Sequence, residues 1–336
     1  MRIVLLILLT FPALVFAQGG HTVNFRFLSN PSSARLQALG GVFSATLDGD
    51  ENMVYSNPAT IDSTMNGNLS ASIALFPSDI QYGTFNYFPN NKGKYLWSFG
   101  TKFMNYGSMS SYDIDGIKTG RISAAENALF TSVRGEFEGV QVGATCKFIS
   151  SFYGSYNAFG VSADIAAVYA FDSNRSVLAA KISDFGIGLK SFSENEKLVM
   201  PTNIQLSYSR RLEHLPLRLF VTVDHLNRWN ILYEDPLNAS NVVVINDTTQ
   251  STPSEFIPNL ARHLTFGSEL QLGKGFFFRL GYNLGRRNEM KIPSFLSSVG
   301  LSWGLELRFK RWNIAMSRSK YHLAASPMNF SFVFKL

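Results

Sequence analysis

The stretch LTFGSELQLGKGFFFRLGYNL, residues 264–284, changes polarity at almost every position. Leu264, Phe266, Leu270 and Leu272 form one side of the pattern, broken only by Ser268, with Thr265, Gly267, Glu269 and Gln271 on the other. Beyond the turn Gly273-Lys274-Gly275, Phe276, Phe278, Leu280, Tyr282 and Leu284 alternate with Phe277, Arg279, Gly281 and Asn283. VGLSWGLELRF (299–309) and the terminal MNFSFVFKL (328–336) repeat the scheme. Period two predicts β-strands with one apolar and one polar face.

Strand length selects the kind of sheet. Soluble strands usually run about 5–6 residues, whereas a tilted membrane strand needs roughly 9–11, and these segments run to about ten. The apolar face is built of Phe, Leu, Tyr and Trp, the polar face of Gly, Ser, Glu and Arg, which is the outward-apolar pattern of an outer-membrane barrel. A soluble β-sandwich also alternates. A chain ending on an alternating strand favours the barrel, because a terminal strand must pair to close it.

Arg2, an apolar run over residues 3–16 and Ala17 before Gln18 read as a secretory signal peptide, residues 1–17. No later run reaches the roughly 20 apolar residues of a membrane helix. Charged residues make up only 16% of the chain, below the usual ~25%, as suits a surface that meets lipid. The net charge of +6 comes from scattered Lys and Arg without a basic helix or an aromatic nucleic-acid motif, so nucleic acid is not an expected partner. The single Cys146 excludes an internal disulfide and falls on an apolar face with Val142, Ala144 and Phe148.

Residues 18–66 lack strand periodicity and read as a small N-terminal plug inside a barrel of residues 67–336. Ser33 to Gly41 predicts a short helix closed by Gly40-Gly41; Asp48-Gly49-Asp50-Glu51-Asn52 reads as a solvated acidic turn. About fourteen strands are expected, starting near 69, 80, 95, 127, 140, 157, 176, 202, 216, 262, 276, 297, 312 and 327. Connection lengths sort by side: every second one is short, while 106–126, 188–201, 228–261 and 285–294 carry all the length. Long loops on a rigid scaffold are where function usually sits.

Reaction chemistry is not apparent. Asp184-Phe185-Gly186 has no kinase companions, and Gly273-Lys274-Gly275 lacks phosphate-loop spacing. The acidic turn lacks EF-hand ligand spacing, and the five histidines lack zinc spacing. Asp224 and His225, adjacent in an expected strand, would point to opposite faces. With no nucleophile, base and orienting group to name, the chain is expected to be non-enzymatic, without catalytic residue, metal or cofactor. Lys102, Lys147, Asp164, Arg218, Asp224, Glu269, Arg279, Glu306 and Arg308 fall on lumen faces. Opposite charges there are expected to pair across the lumen and anchor the plug.

Phe27-Leu28, Pro31-Ser32-Ser33-Ala34-Arg35, Ala38-Leu39-Gly40-Gly41 and Asn57-Pro58-Ala59 resemble the hatch of the FadL-like barrel superfamily. The Ser-Ala-Arg and Ala-Leu-Gly-Gly strings are similar to those of PorV- and PorQ-like proteins of the type IX secretion system. Ile80-Gln81-Tyr82-Gly83, residues 103–107 and 159–164, and the run from His225 to Ile231 with Tyr233-Glu234-Asp235-Pro236, resemble the PorQ-like members. The resemblance implies an outer-membrane component of the attachment complex, which joins cargo to lipopolysaccharide. Its expected partners are a PorZ-like surface protein, a PorU-like sortase and a PorV-like barrel, with outer-membrane lipid around it. Trp229, Tyr233, Glu234, Asp235 and Pro236 are the candidate partner loop. The alternative is a FadL-like transporter of hydrophobic compounds.

Overall fold

A computed structural model describes residues 23–42, 44–193, 197–231, 253–291, 297–322 and 325–336. The expected leader, residues 1–17, and Tyr233, Glu234, Asp235 and Pro236 lie outside them. Fourteen strands form one closed antiparallel barrel, each paired with its sequence neighbours. The first seven are β1 (Leu69–Leu75), β2 (Gln81–Tyr87), β3 (Leu96–Tyr112), β4 (Lys118–Phe137), β5 (Val140–Tyr153), β6 (Tyr156–Phe171) and β7 (Ser176–Lys190). The rest are β8 (Asn203–Arg211), β9 (Leu217–Val223), β10 (Leu264–Leu272), β11 (Phe276–Asn283), β12 (Leu301–Arg308), β13 (Trp312–Ser319) and β14 (Met328–Phe334). The terminal strand closes the ring, with register from Leu69 opposite Phe334 to Leu75 opposite Met328.

Alternation becomes an outside and an inside. On β14, Phe330, Phe332 and Phe334 are exposed while Asn329, Ser331 and Val333 are buried. The polar face is thus the interior and the apolar face the exterior, the arrangement of a transmembrane barrel. Every backbone group of a closed sheet finds a partner, which a bilayer demands.

The wall is uneven. β1, β2 and β8–β14 have 7–9 residues, whereas β3–β7 have 14–20. At about 3.3 Å per residue the short strands are roughly 23–30 Å long, which at a tilt of ~35–45° covers about 16–25 Å of an apolar band of ~25 Å. The long strands rise past that band on the side of the long connections. Residues 106–126, expected as a loop, are therefore mostly the β3–β4 hairpin, and β4 starts at Lys118 rather than near 127. Above the band both hairpin faces are exposed from Tyr112 to Arg121. Without a lipid side and a lumen side, no polarity alternation marks the strands there.

Two other long connections carry helices, α2 (Pro253–His263) and α3 (Leu284–Met290). Val299 lies buried just before β12 rather than on it, and Gly300 turns the chain at φ 91°.

The core is the N-terminal segment itself. Helix α1 (Ala34–Ala38) starts where the Ser33 side chain accepts a hydrogen bond from Leu36 N–H, an N-cap. It ends at Gly40 and Gly41, with φ 106° and 84°, values that favour glycine. Phe25, Phe27 and Leu28 pack on Ala128, Ile149, Ala158 and Met200. Ala45 and Ala59 pack on Ala166, Val168, Val177 and Ala179. The segment lies inside the barrel, with α1 against β11–β14 and the Pro58–Thr60 turn against β4–β6.

Candidate functional site

Among the described residues, two groups of ion-paired buried charge lie in the lumen, one built on Arg35 of the N-terminal segment and one on the wall beside Tyr55 of that segment. Arg35, on α1 and 1% exposed, reaches Asp48 at 2.6 Å, Asp50 at 3.0 Å and Glu269 of β10 at 2.9 Å. Glu269 also accepts from Arg279 Nε at 2.7 Å, and Arg279 pairs on with Glu306, which in turn pairs with Arg308. Arg218 meets Asp48 at 3.3 Å. Four carboxylates thus face four guanidiniums, so the group is near neutral although it is buried. Buried charge is tolerable only when paired in this way.

Asp48 and Asp50, expected as a solvated turn, are bound into this group, and Glu51 beside them is 1% exposed. The turn folds into the lumen because Arg35 and Arg218 offer it partners there. Burial alone would raise the Asp48 carboxyl. The Arg35 guanidinium, aided by Arg308 and Arg218, outweighs burial and holds it far below the usual carboxylate range. Glu51 is pushed up by burial, with Asp50 adding to the effect, and this outweighs Lys335 and the hydrogen bond that Asn68 donates to it at 2.7 Å.

The second group lies on the β3–β7 side. Lys147 Nζ reaches Asp164 at 2.8 Å and Asp184 at 2.6 Å, and Lys181 meets Asp164 at 3.2 Å. Lys102 has a different task from the expected carboxylate pairing: its ammonium donates to the backbone carbonyls of Leu28 at 2.9 Å and Asn30 at 2.5 Å. Tyr55 sits between the two lysines, its ring centroid 4.4 Å from Lys102 Nζ and 4.7 Å from Lys147 Nζ. Asp184 and Lys181 escaped the sequence reading. Asp184 sits at a β-bulge with φ 55°, where Asp164 of β6 has no single opposite residue. The extra residue turns its carboxylate inward.

Asp224 and His225 also depart from expectation. β9 ends at Val223, so they occupy a turn, and His225 has φ 56°. They do not point apart: His225 Nδ1 lies 3.2 Å from Asp224 Oδ2. Among the described residues Asp224, 7% exposed, pairs with His225 rather than with a cation of either lumen group. Among the described residues no three His, Cys, Asp or Glu side chains converge as a metal site.

The motif strings of the N-terminal segment mark where its backbone lies directly on the wall. A Cβ at Gly143 of β5 would fall 2.3 Å from Ala59 N and Pro58 C, and one at Gly281 of β11 would fall 2.3 Å from Gly40 N. Asn57 caps the Pro58–Thr60 turn through Ala59 N–H. Ala34 N–H donates to Ser331 Oγ at 2.8 Å, and Asn283 donates to the Gly40 carbonyl at 3.2 Å.

Above the segment, at the long-connection end, lies a cavity of about 400 Å³. Lys181, Asp184, Gln205, Asp224, Arg286 and Tyr321 are among its lining residues. Nearby, the candidate partner residue Trp229 is 43% exposed. Its ring stacks on His263 at 5.2 Å and its carbonyl lies 3.0 Å from His263 Nε2.

No family model matches the chain, and no curated protein matches it. Solved structures do. The toluene transporter TodX of P. putida is similar at a TM-score of 0.54 and 12% identity, over 92% of this chain and 99% of that one. The toluene transporter TbuX of Ralstonia pickettii is similar at 0.54 and 11%, over 92% and 99%. The likeness is one of fold. The closed fourteen-strand barrel is the fold expected from the alternating strands.

Proposed function

We propose that the protein is a non-enzymatic outer-membrane barrel whose long-connection end holds a surface protein, as a PorQ-like component of the type IX attachment complex. Its partners in this reading are a PorZ-like surface protein, a PorU-like sortase and a PorV-like barrel, in contact with lipid and lipopolysaccharide. The carrying observation is the state of the lumen. Its interior is taken up by an N-terminal segment ion-paired to the wall, and the cavity that remains sets Lys181, Asp184, Asp224, Arg262, Arg286 and Glu289 among apolar residues such as Leu36 and Met290. A passage for hydrocarbons calls for walls without such charge. What the molecule offers a partner is then its outer rim, where β3–β7 stand tall and Trp229 is exposed.

Deleting residues 238–252 is expected to release a surface protein from tagged barrel purified out of gently solubilised outer membranes. The barrel itself should keep its heat-dependent migration in detergent gels, a property of the closed sheet. Equal recovery of the partner with and without the deletion would rule this connection out as the anchor.

The fold likeness to two toluene transporters favours a second reading, transport of hydrophobic compounds. That reading expects stoichiometric fatty acid or hydrocarbon in the purified protein and no surface partner.

A further inference from the structure

We propose that the upper edge of β7, residues 185–190, is a strand-addition site for an extended segment of the surface partner. The proposal deepens the partner reading above and rests on it.

The barrel is closed only up to a certain height. β7 pairs with β8 from Ser176 to Ser183 and no further, whereas it stays paired with β6 up to Lys190. Past the bulge at Asp184 the strand has one partner. No backbone hydrogen bond joins residues 185–190 to anything but β6 among the described residues. Alternate N–H and C=O groups along that edge are therefore left for a further strand.

Among the described residues, the chain that leaves β7 does not cover this edge from outside. It turns into the barrel instead: Val199 pairs with Asn24, at 2.9 Å in each direction, and Met200 is buried against Phe25. Leu198 lies against Gly188 on the inner side, where a Cβ on that glycine would meet it at 2.5 Å. Phe185, Ile187 and Leu189 stay outside, 38%, 63% and 56% exposed. These residues lie past the end of β8, on the tall part of the wall.

Sheets protect free edges with a charge, a proline or a twist. This one has Lys190 alone, and its ammonium is turned back to Asn157 of β6 at 2.5 Å. The edge of β3 at the other end of the tall wall carries Ser108, Ser110 and Ser111 beside Met109 and Tyr112, without the apolar alternation of residues 185–189. The β7 edge fits an extended segment of about six residues. Its apolar side chains, at every second position, would meet Phe185, Ile187 and Leu189, while small residues would face the inner side. Main-chain pairing supplies affinity and alternate side chains supply selectivity.

The test uses the full-length barrel in the membrane. A photocrosslinking phenylalanine analogue at Leu189 should form an adduct that maps to an extended stretch of the surface partner with alternating apolar residues. Ile187→Lys with Leu189→Lys should lower partner recovery at least tenfold, while Met109→Lys on the β3–β4 hairpin leaves it unchanged. Amides 185–190 should exchange quickly in the free barrel and slowly in the complex. Slow exchange in the free barrel, or an adduct only with a second copy of this chain or with the chain itself, would overturn the proposal. So would full recovery of the partner by the lysine variant, with the partner reading left standing. Absence of any surface partner on the unaltered barrel would instead defeat the partner reading itself.

Discussion

Arg35→Ala is expected to free residues 25–65 from the lumen wall while the fourteen-strand barrel stays closed. The guanidinium is 1% exposed and bridges Asp48 and Asp50 of its own segment to Glu269 of β10. Removing it leaves three carboxylates facing one another without their shared cation, and Arg218, Arg279 and Arg308 can neutralise them only in part. Breaking a buried pair from one side costs roughly 3–5 kcal/mol, most of it the uncompensated charge left behind. The barrel's closure does not depend on this group, since β1 pairs with β14 and every other strand with its neighbours. The loss therefore falls on the fit of the segment in the lumen. Chymotrypsin should cut at Phe27 and Tyr55, which are 2% and 3% exposed, at least ten times faster in the variant. Unheated samples should still migrate as compact barrels. Arg35→Lys keeps the charge but not the two-armed geometry that spans Asp48 and Asp50, so it should fall between. Equal protection of Tyr55 in the Ala variant and the unaltered protein would refute the clamp.

The same group sets an acid limit. Asp48 is held below its usual value in the folded protein, so its contribution is present above the unfolded value, about 3.9, and is lost as pH falls towards the depressed one. Protection of Tyr55 should therefore survive at pH 5 and weaken only in strong acid.

Much of this arrangement could be read in the residues, for a physical reason. Inside the band, each strand has lipid on one side and a polar lumen on the other, so polarity writes the register directly: Glu269, Arg279 and Glu306 fall on the inner face by parity alone. Where those two environments end, so does the signal. The β3–β4 hairpin above the band has both faces exposed and reads as a loop. Asp184 appears in a string with a familiar but irrelevant meaning. Its inward turn depends on a bulge that adds one residue opposite Asp164, and parity cannot count past such a break. Asp48 and Asp50 read as a solvated turn because solvated and ion-paired acidic turns look alike in sequence until Arg35 stands beside them. The pairing of Asp224 with His225 depends on the positive φ of His225, which alternation has no means of encoding.

The glycines facing the segment lead to the other large effect. Gly143→Val on β5 is expected to lift the Asn57–Ala59 turn off the wall without releasing α1. A Cβ there would lie 2.3 Å from Ala59 N and Pro58 C and 2.7 Å from the Pro58 carbonyl oxygen. All three are backbone atoms, which cannot swing aside as the end of a side chain can. Overpacking typically costs ~1–3 kcal/mol when neighbours adjust, and here the adjustment must be displacement of the turn itself. Gly143 and the Arg35 clamp lie on different strands, β5 and β10, so α1 should remain held at Glu269 while Tyr55 is exposed. Chymotrypsin should accordingly cut about tenfold faster at Tyr55 yet leave Leu36 and Leu39 protected, a pattern distinct from that of Arg35→Ala. Gly93→Val is the matched control, because a Cβ at Gly93 meets nothing closer than 4.0 Å. Gly281→Val should give the mirror result, freeing the Ala38–Gly40 end first, since the backbone of Leu39 and Gly40 lies 2.3–2.4 Å from its added carbon. If both valine variants exposed the same sites, the segment would be moving as one rigid body. The two contacts with the wall would then have to be treated as a single latch.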